Sequence, residues 1–335
     1  MAATPWPTLN ARAAGMATHL LAARELRPLA HAASMNAFAE AIGRHGATCV
    51  PDEPVAATLE LALRRAAAAQ LSTLTRWAPS ADSLFVLELE QDQRSLTVIL
   101  RGLAAATKSA ERIAGLLPTR SLPEAALQRL STAAHPQQIG ALLIAWQHPL
   151  AQVVVDNSAE PLDTLRVETA LAREFARFIV RRIRHPGARF RAYVRESLDV
   201  LNITTALALL MFEEQADVDA FFVPGGARVT RVAFAHALKA TSYLDAASIL
   251  AAALDDSTIA LALRAWNGEP DLERRLLRAR AEQWRVYARR DPLSCAPTIA
   301  YLLDLRLELS QLQCILWGLE ARVPGDVIEQ RLWLP

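Results

Sequence analysis

The sequence contains little glycine and few aromatic residues. Only 12 of its 335 residues are glycine, and phenylalanine, tryptophan and tyrosine together make up 6%. Long runs of Ala, Leu, Arg and Glu are therefore seldom interrupted, and these residues favour helix over strand. The composition predicts a globular, heavily helical protein of the all-α class.

Cysteine is scarce as well. Cys49, Cys295 and Cys314 are odd in number and have no close spacing. They support neither a disulfide framework nor a CxxC metal site. We therefore expect the protein to work in a reducing cytoplasm.

The sequence also lacks an excess of one charge and a long apolar run. Its net charge is +1, which argues against a general nucleic-acid binder because such a protein needs a concentrated basic field. The longest apolar run, residues 203–212, is about half of what a bilayer span requires. The first residues lack the apolar core of a signal peptide. We expect a cytoplasmic chain that does not itself cross a membrane.

Sequence signatures of catalysis are absent. The seven histidines have neither HExxH nor HxxxH spacing, so no metal site is predicted. Gly225-Gly226 lacks the pattern of a phosphate-binding loop and predicts a turn. Asp255-Asp256 lacks the further aspartate that a magnesium-diphosphate site needs. We therefore predict no catalytic residue, no cofactor and no metal.

Two arginine-rich runs, residues 177–184 and 273–285, allow two interpretations. They could form a surface for an anionic partner. They could also be solvated helix faces and helix-end charges, which are the more common use of such runs. We favour the second interpretation.

A threefold internal repeat organises the chain. Each copy has an acidic residue, here called the marker acid, and a polar residue three positions later: Asp92 and Ser95, Asp199 and Asn202, Glu308 and Gln311. A basic residue and a proline precede each copy, a dipeptide ending in glycine follows two of them, and a proline follows all three: Arg76/Pro79, Arg184/Pro186, Arg290/Pro292; Arg101-Gly102, Trp317-Gly318; Pro118, Pro224, Pro324. Positions 92, 199 and 308 are 107 and 109 residues apart, much longer than solenoid repeats of about 20–50 residues. Three lobes are the better expectation.

Each marker acid lies on an apolar helical stripe. Steps of three and four residues from Glu308 meet Tyr301, Leu305 and Leu312. A carboxylate on such a face is costly unless it is paired or hydrogen-bonded. We predict a partner from the basic helix that precedes each marker helix: Arg64 or Arg65, Arg173 or Arg177, Arg274 or Arg278. The alternative is that the acids lie at the stripe edge and reach water.

The repeat also predicts how the chain divides. We expect an N-terminal arm with its helices over 1–54, and helical lobes over 55–155, 156–268 and 269–335. In each lobe the basic helix and the marker helix should form an antiparallel pair. The third lobe is shorter than the others, and we expect it to pack with the N-terminal helices.

The three units resemble the C subunit of V-type and A-type rotary ATPases, whose eukaryotic equivalent is called the d subunit. The resemblance covers most of the chain. It rests on Ala11-Arg12 and Gly15-Met16 of the first helix, on the marker acids with their amide-like followers, and on turns that read LLPTRSLPEAAL, FFVPGGARV and RVPGDVIEQRL. The second unit departs from the pattern, because it has Ala208-Leu209 in place of Arg-Gly or Trp-Gly.

The resemblance implies a funnel of three helical lobes about a pseudo-threefold axis. It implies a non-catalytic rotor subunit that links the central stalk to the membrane proteolipid ring and transmits torque for ion transport or ATP synthesis. The lobe signature would have a structural role more than a role in partner contact: Asp92, Arg101, Asp199, Asn202, Glu308 and Gln311. Two other functions stay open, a stand-alone helical scaffold that binds another protein and a helical magnesium-dependent prenyl-diphosphate enzyme.

Overall fold

Helices make up the regular secondary structure in the part of this protein that the structure describes. The computed structural model describes residues 6–44, 54–77, 81–113, 116–182, 187–210, 217–269 and 271–333. No strand occurs in these ranges, which confirms the all-α class. Cys49, Pro79, Arg184 and Pro186 lie outside the described residues.

The helices are numbered along the chain. The N-terminal helices and the first unit comprise α1 (Trp6–Ala17), α2 (Ala23–Ala30), α3 (Met35–Arg44), α4 (Ala56–Arg76), α5 (Ala81–Ala104), α6 (Ser109–Ile113), α7 (Glu124–Ser131), α8 (Pro136–Ala145) and α9 (Ala151–Asp156). The rest of the chain forms α10 (Thr164–Arg182), α11 (Ala188–Leu209), α12 (Val218–Phe221), α13 (Arg231–Ala237), α14 (Tyr243–Ala253), α15 (Thr258–Arg264), α16 (Leu272–Arg290), α17 (Ala296–Glu320) and α18 (Gly325–Arg331). The marker acids lie on α5, α11 and α17. None of the helices within the described ranges has the length and apolar character that a bilayer crossing requires.

The marker helices form because strong helix formers place apolar side chains on one face. On α5, Leu89, Leu96 and Ile99 are fully buried, and their spacing of three and seven residues is that of one helical stripe. On α17, Leu305, Leu312 and Ile315 are buried in the same way. The stripes therefore fix which side of each marker helix faces the core.

The long helices pair differently from the prediction. Helices α16 and α17 pack along each other, as predicted, but α4 packs mainly on α17 and α5 mainly on α10. Phe85 of α5 packs on Phe178 of α10 with ring centroids 5.5 Å apart. The hydroxyl of Tyr301 on α17 donates to Gln70 on α4. The apolar faces of α4 and α5 are therefore covered by helices from distant parts of the sequence, and α4 and α5 are not each other's main partners.

A pair of short helices accompanies each marker helix. Leu122, Val229 and Leu21 are buried, and each is followed by helices that begin 2 and 14 residues later, at 124 and 136, 231 and 243, and 23 and 35. Helices α2 and α3 pack against α17, and one apolar cluster joins α1–α4 with α17. Helices α2 and α3 are thus the equivalents, beside α17, of the pairs α7–α8 and α13–α14 that follow α5 and α11.

The marker helices α5 and α17 end in the same way. The N–H of Thr107 donates to the carbonyl of Gly102, and that of Val323 to Gly318, both at 2.9 Å. The preceding residues, Ala106 and Arg322, have positive φ angles of 53° and 55°, as a left-handed helix cap requires.

The two glycines at these helix ends permit close packing. A Cβ atom on Gly102 would overlap Arg112 of α6, and one on Gly318 would overlap Ile328 of α18. Counted from these equivalent glycines, Pro324 takes the place of Lys108 and not of Pro118. The three prolines that follow the repeats are therefore not equivalent, contrary to the pattern in the sequence.

Candidate functional site

The first marker acid, Asp92, is fully buried on α5 and holds the loop that leads to α7. Thr119 Oγ1 donates to its Oδ1 at 2.5 Å, and Ser121 Oγ donates to its Oδ2. His148 Nε2 lies 3.2 Å from Oδ2. Because His148 Nδ1 accepts the N–H of Leu150, the imidazole proton is on Nε2 and points to the carboxylate. Three side-chain donors thus satisfy Asp92.

The second marker acid, Asp199, is bound by backbone. The N–H groups of Ala227, Arg228 and Val229 donate to its carboxylate at 2.9–3.2 Å. Burial raises the pKa of Asp199, and these hydrogen bonds oppose the increase. A Cβ atom on Gly226 would overlap Asp199 Oδ1, so glycine lets the backbone wrap round the acid. Pro224 and Gly225 form a turn and Gly226 follows it directly, so the predicted turn is present one residue earlier.

Within the described ranges, the third marker acid, Glu308, accepts one hydrogen bond, from the N–H of Leu21 at 2.6 Å. Burial, together with the nearby Glu25 and Asp304, raises the pKa of Glu308 from 4.5 to about 7, against the opposing hydrogen bond from Leu21. Each marker acid therefore holds the segment that leads into the short helices beside its own marker helix.

The predicted arginine partners are wrong. Arg64 donates to the carbonyl of Leu116 and pairs with Glu124, and Arg173 donates twice to the carbonyl of Phe222, directly after α12. The other candidates that form ion pairs also do so elsewhere: Arg177 with Glu174, Arg274 with Asp271, Arg278 with Glu282. Hydroxyl and backbone N–H donors satisfy a buried carboxylate without desolvating a second charge, which explains why the loops take this role.

The polar residues three positions after the marker acids bind different partners, and in the described part of the chain only Asn202 binds the same loop as its marker acid. Asn202 Nδ2 donates to the carbonyl of Val223, and its Oδ1 accepts the N–H of Val223, both at 2.8 Å. Gln311 Oε1 accepts the N–H of Trp333 at 3.0 Å. In the first unit Ser95 receives a long contact of 3.5 Å from Gln91 on its own helix. The amide position thus supports backbone in the second and third units.

Arg101 has a different role from the other signature residues. Its Nε and Nη2 atoms donate to the two carboxylate oxygens of Glu168 at 2.5 and 2.6 Å. This bidentate ion pair joins α5 to α10. Burial raises the pKa of Glu168, while Arg101 opposes the increase. Arg101 therefore links the marker helix of the first unit to the leading helix of the second.

A buried ionic network at the junction of α5, α11 and α16 was missed by the sequence prediction. Arg280 is only 1% exposed. It donates to Glu196 at 2.9 Å and to Ser197 at 2.6 Å, and its Nη1 atom lies 3.6 Å from Glu90. Tyr193 donates to Glu90 at 2.6 Å. Burial favours a raised pKa for Glu90, but Arg94 and Arg280 outweigh burial and hold its pKa below the usual range.

One signal for this network was present in the repeat. Glu90, Ser197 and Arg306 each stand two residues before a marker acid. All three reach the network, since Arg306 lies 3.9 Å from Glu90 and Arg280 contacts both other residues. Arg280 itself has no such signal, because it lies within an arginine-rich run that is typical of a solvated helix face.

The described residues contain no group of three or more His, Cys, Asp or Glu side chains arranged to hold a metal ion. The polar groups described above bind each other and the loops of the chain. Fold and site together define a helical scaffold whose repeated acids fasten loops to long helices and whose buried ion network fastens the units to each other.

Comparison with known families agrees with this class. The family model for the ATP synthase (C/AC39) subunit matches residues 9–331. The chain therefore belongs to this family of V/A-type ATPase subunits. A comparison with curated proteins finds no significant match.

Proposed function

We propose that the chain is the non-catalytic central-rotor subunit of a V/A-type ATPase, linking the central stalk to the membrane proteolipid ring and transmitting torque between them. Family membership supports the complex. The observation that best supports the mechanical role is the buried network of Glu90, Glu196 and Arg280, which ties together helices from three units.

Torque transfer needs a body that does not shear. The hydrogen bond from Tyr193 to Glu90 joins residues 103 positions apart, and that from Arg280 to Glu196 joins residues 84 positions apart. Loss of one partner of such a buried pair costs about 3–5 kcal/mol. Sliding of one unit past the next would break these bonds, so the network resists relative motion of the units.

The proposal includes the arrangement and location predicted by the resemblance. The lobes over 55–155, 156–268 and 269–335 would surround a pseudo-threefold axis as a funnel, with 1–54 leading in. The subunit would lie at the cytoplasmic face of the membrane, held there through its complex. The signature residues would act inside the lobes, because Asp92, Asp199 and Asn202 are buried against their own loops.

The turn between α16 and α17 offers an apolar contact for the ring. Leu293 at its tip is 71% exposed. The side-chain amide of Asn10 holds this turn by donating to the carbonyls of Pro292 and Ser294 at 2.9 and 2.7 Å. A rigid turn with an exposed leucine suits docking on an apolar partner.

The prenyl-diphosphate enzyme is not favoured by the surroundings of its aspartates. Asp255 binds Arg228, and Asp256 lies 3.5 Å from Arg264. These carboxylates neutralise arginines of their own unit. A stand-alone scaffold stays an alternative that the following experiment separates from the rotor subunit.

The test is a pull-down of the tagged full-length chain from its native membranes. The membranes are washed at raised salt, and the retained proteins are identified by mass spectrometry. Recovery of a central-stalk subunit together with the proteolipid ring is the expected result. Recovery of the chain alone, or with unrelated soluble proteins, would refute the rotor assignment.

A pair of matched variants tests whether the turn between α16 and α17 contacts the ring. Leu293→Asp should lower recovery of the ring and leave the stalk subunit bound. Leu261→Asp, which changes an exposed leucine of α15, is the control and should leave both partners bound. Equal recovery of the ring with both variants would exclude the α16–α17 turn from the contact.

A further inference from the structure

The three marker acids hold their segments with unequal numbers of bonds. Asp92 receives three side-chain donors and Asp199 three backbone N–H groups. Glu308 receives the N–H of Leu21. This bond lies where the N-terminal helices meet α17, so among the described residues the marker acid of the third unit accepts the fewest hydrogen bonds of the three.

The surroundings of Glu308 are acidic. On the N-terminal side, Glu25 Oε2 accepts the N–H of Ala22 at 2.6 Å, which places residues 21–22 between two carboxylates. On α17 itself, Asp304 lies one turn before Glu308 and is bound by Arg285 of α16 at 2.8 Å. Glu308 thus faces like charges from both sides.

The polar groups on the other helices around α17 are engaged elsewhere or exposed. Gln70 of α4 accepts from Tyr301, and Asn10 of α1 accepts from Thr298. On α2, Arg24 is exposed and Arg27 pairs with Glu329 of α18. His31, which follows α2, binds the same carboxylate.

Among the described residues, no basic side chain forms an ion pair with Glu308. An ionised Glu308 is therefore opposed by two acids, Glu25 and Asp304, and supported by one N–H group.

We propose that Glu308 is a proton-dependent latch, which in its protonated form holds Leu21 and helices α2 and α3 against α17 and in its ionised form weakens this contact. Ionisation creates a carboxylate that gains hydration when the N-terminal segment moves away. Only one hydrogen bond to the acid is lost in that movement. The neutral acid has no such gain and keeps the segment in place.

The sign of the effect follows from proton binding. With a pKa of about 7 in the closed state and an ordinary value near 4.5 in the open state, the closed state binds the proton more tightly. Closure is therefore strongest at low pH and weakens as pH rises, until the loss is complete above about pH 7. This inference goes beyond the proposed rotor function, because it concerns the chain whatever its partners.

The test is hydrogen–deuterium exchange of the full-length protein at pH 6, 7 and 8, with rates corrected for the pH dependence of intrinsic exchange. Peptides that cover Leu21 should lose protection by about tenfold between pH 6 and pH 8, since that is the change in the opening constant for pKa values of about 7 and 4.5. Glu308→Gln keeps an acceptor for the Leu21 N–H but cannot ionise. Its protection should stay constant over the range.

Two further variants make the outcome decisive. Asp199→Asn is the matched control and should keep the wild-type pH profile at Leu21. Glu25→Gln removes one of the two neighbouring acids and keeps an acceptor for the Ala22 N–H. It should lower the pKa of Glu308, so protection at Leu21 should stop falling at a lower pH than in the wild type.

The results that overturn the latch are equally specific. A wild-type profile that is flat from pH 6 to pH 8 would exclude it, as would a Glu308→Gln variant with the wild-type slope. If Glu308→Gln fails to fold by circular dichroism, Glu25→Gln decides, and an unchanged pH profile in that variant contradicts the proposal.

Discussion

Replacement of Arg280 by methionine tests the buried network that joins the units. Arg280→Met keeps an unbranched side chain and removes the guanidinium. Glu90 and Glu196 then lose the cation between them, at 3.6 and 2.9 Å. Removal of one partner of a buried ion pair costs about 3–5 kcal/mol, because the remaining charge stays desolvated.

The control uses the same substitution two residues earlier. Arg278 lies on α16 as well, but its side chain is 49% exposed and pairs with Glu282 one turn away. An exposed pair of this kind contributes about 0.3–0.5 kcal/mol, and its contact with the Trp333 ring at 5.1 Å adds about 0.5–1 kcal/mol. Arg278→Met should therefore cost roughly 1 kcal/mol.

The assay is urea unfolding monitored by tryptophan fluorescence. The buried Trp284 is a probe within the network, because its indole N–H donates to Glu196. The first unfolding transition should move to clearly lower urea for Arg280→Met than for Arg278→Met. Adding Glu90→Gln and Glu196→Gln to Arg280→Met should recover part of the loss, because the unpaired charges are then absent. If the two single variants differ by less than about 1 kcal/mol, the carboxylates do not depend on Arg280 and the reasoning fails.

Three further predictions concern the repeated features. Gly226→Ala should lower the free energy of unfolding, measured by thermal melting, by about 1–3 kcal/mol, because the added Cβ overlaps Asp199. Gly187→Ala is the control and should change this free energy little, because a Cβ at Gly187 meets no atom within 4 Å. Arg101→Ala should speed hydrogen exchange in α5 and α10 and cost about 1 kcal/mol or less, since the arginine is half-exposed; unaltered exchange in both helices would contradict its linking role. The raised pKa of Glu308 should make the protein more stable at pH 5 than at pH 8 by at most about 3 kcal/mol, and Glu308→Gln should remove that part of the pH dependence in melting curves.

The helical period made the burial of the marker acids predictable, but not their partners. Asp92 and Asp199 lie on apolar stripes and are 0% and 2% exposed, as the spacing of their neighbours indicates. The donors to Asp199 are backbone N–H groups of residues 227–229, and every residue except proline has such a group. A sequence pattern therefore cannot show which backbone N–H groups bind a marker acid.

The sequence also could not show which long helices pack on each other. Helix α4 faces α17 through contacts such as that between Gln70 and Tyr301, which are 231 positions apart. Periodicity shows that a helix has a buried face but not which helix covers it. In the network around Arg280, polar residues stand two positions before the marker acid in all three units, so the sequence could have indicated them. Arg280 has no counterpart in the other units, so the sequence could not have indicated it.

The contact between Leu21 and Glu308 joins positions 287 residues apart, and this separation governs the order of folding. During synthesis α2 and α3 leave the ribosome long before α17. Their buried side chains, Leu26, Leu29 and Phe38, share an apolar cluster with α17 and have no cover from it until then. At about 5–20 residues per second the wait is roughly 15–50 s. Over that interval the apolar faces of α2 and α3 lack the cover of α17, so an early part of the chain completes its packing only after a late part is made.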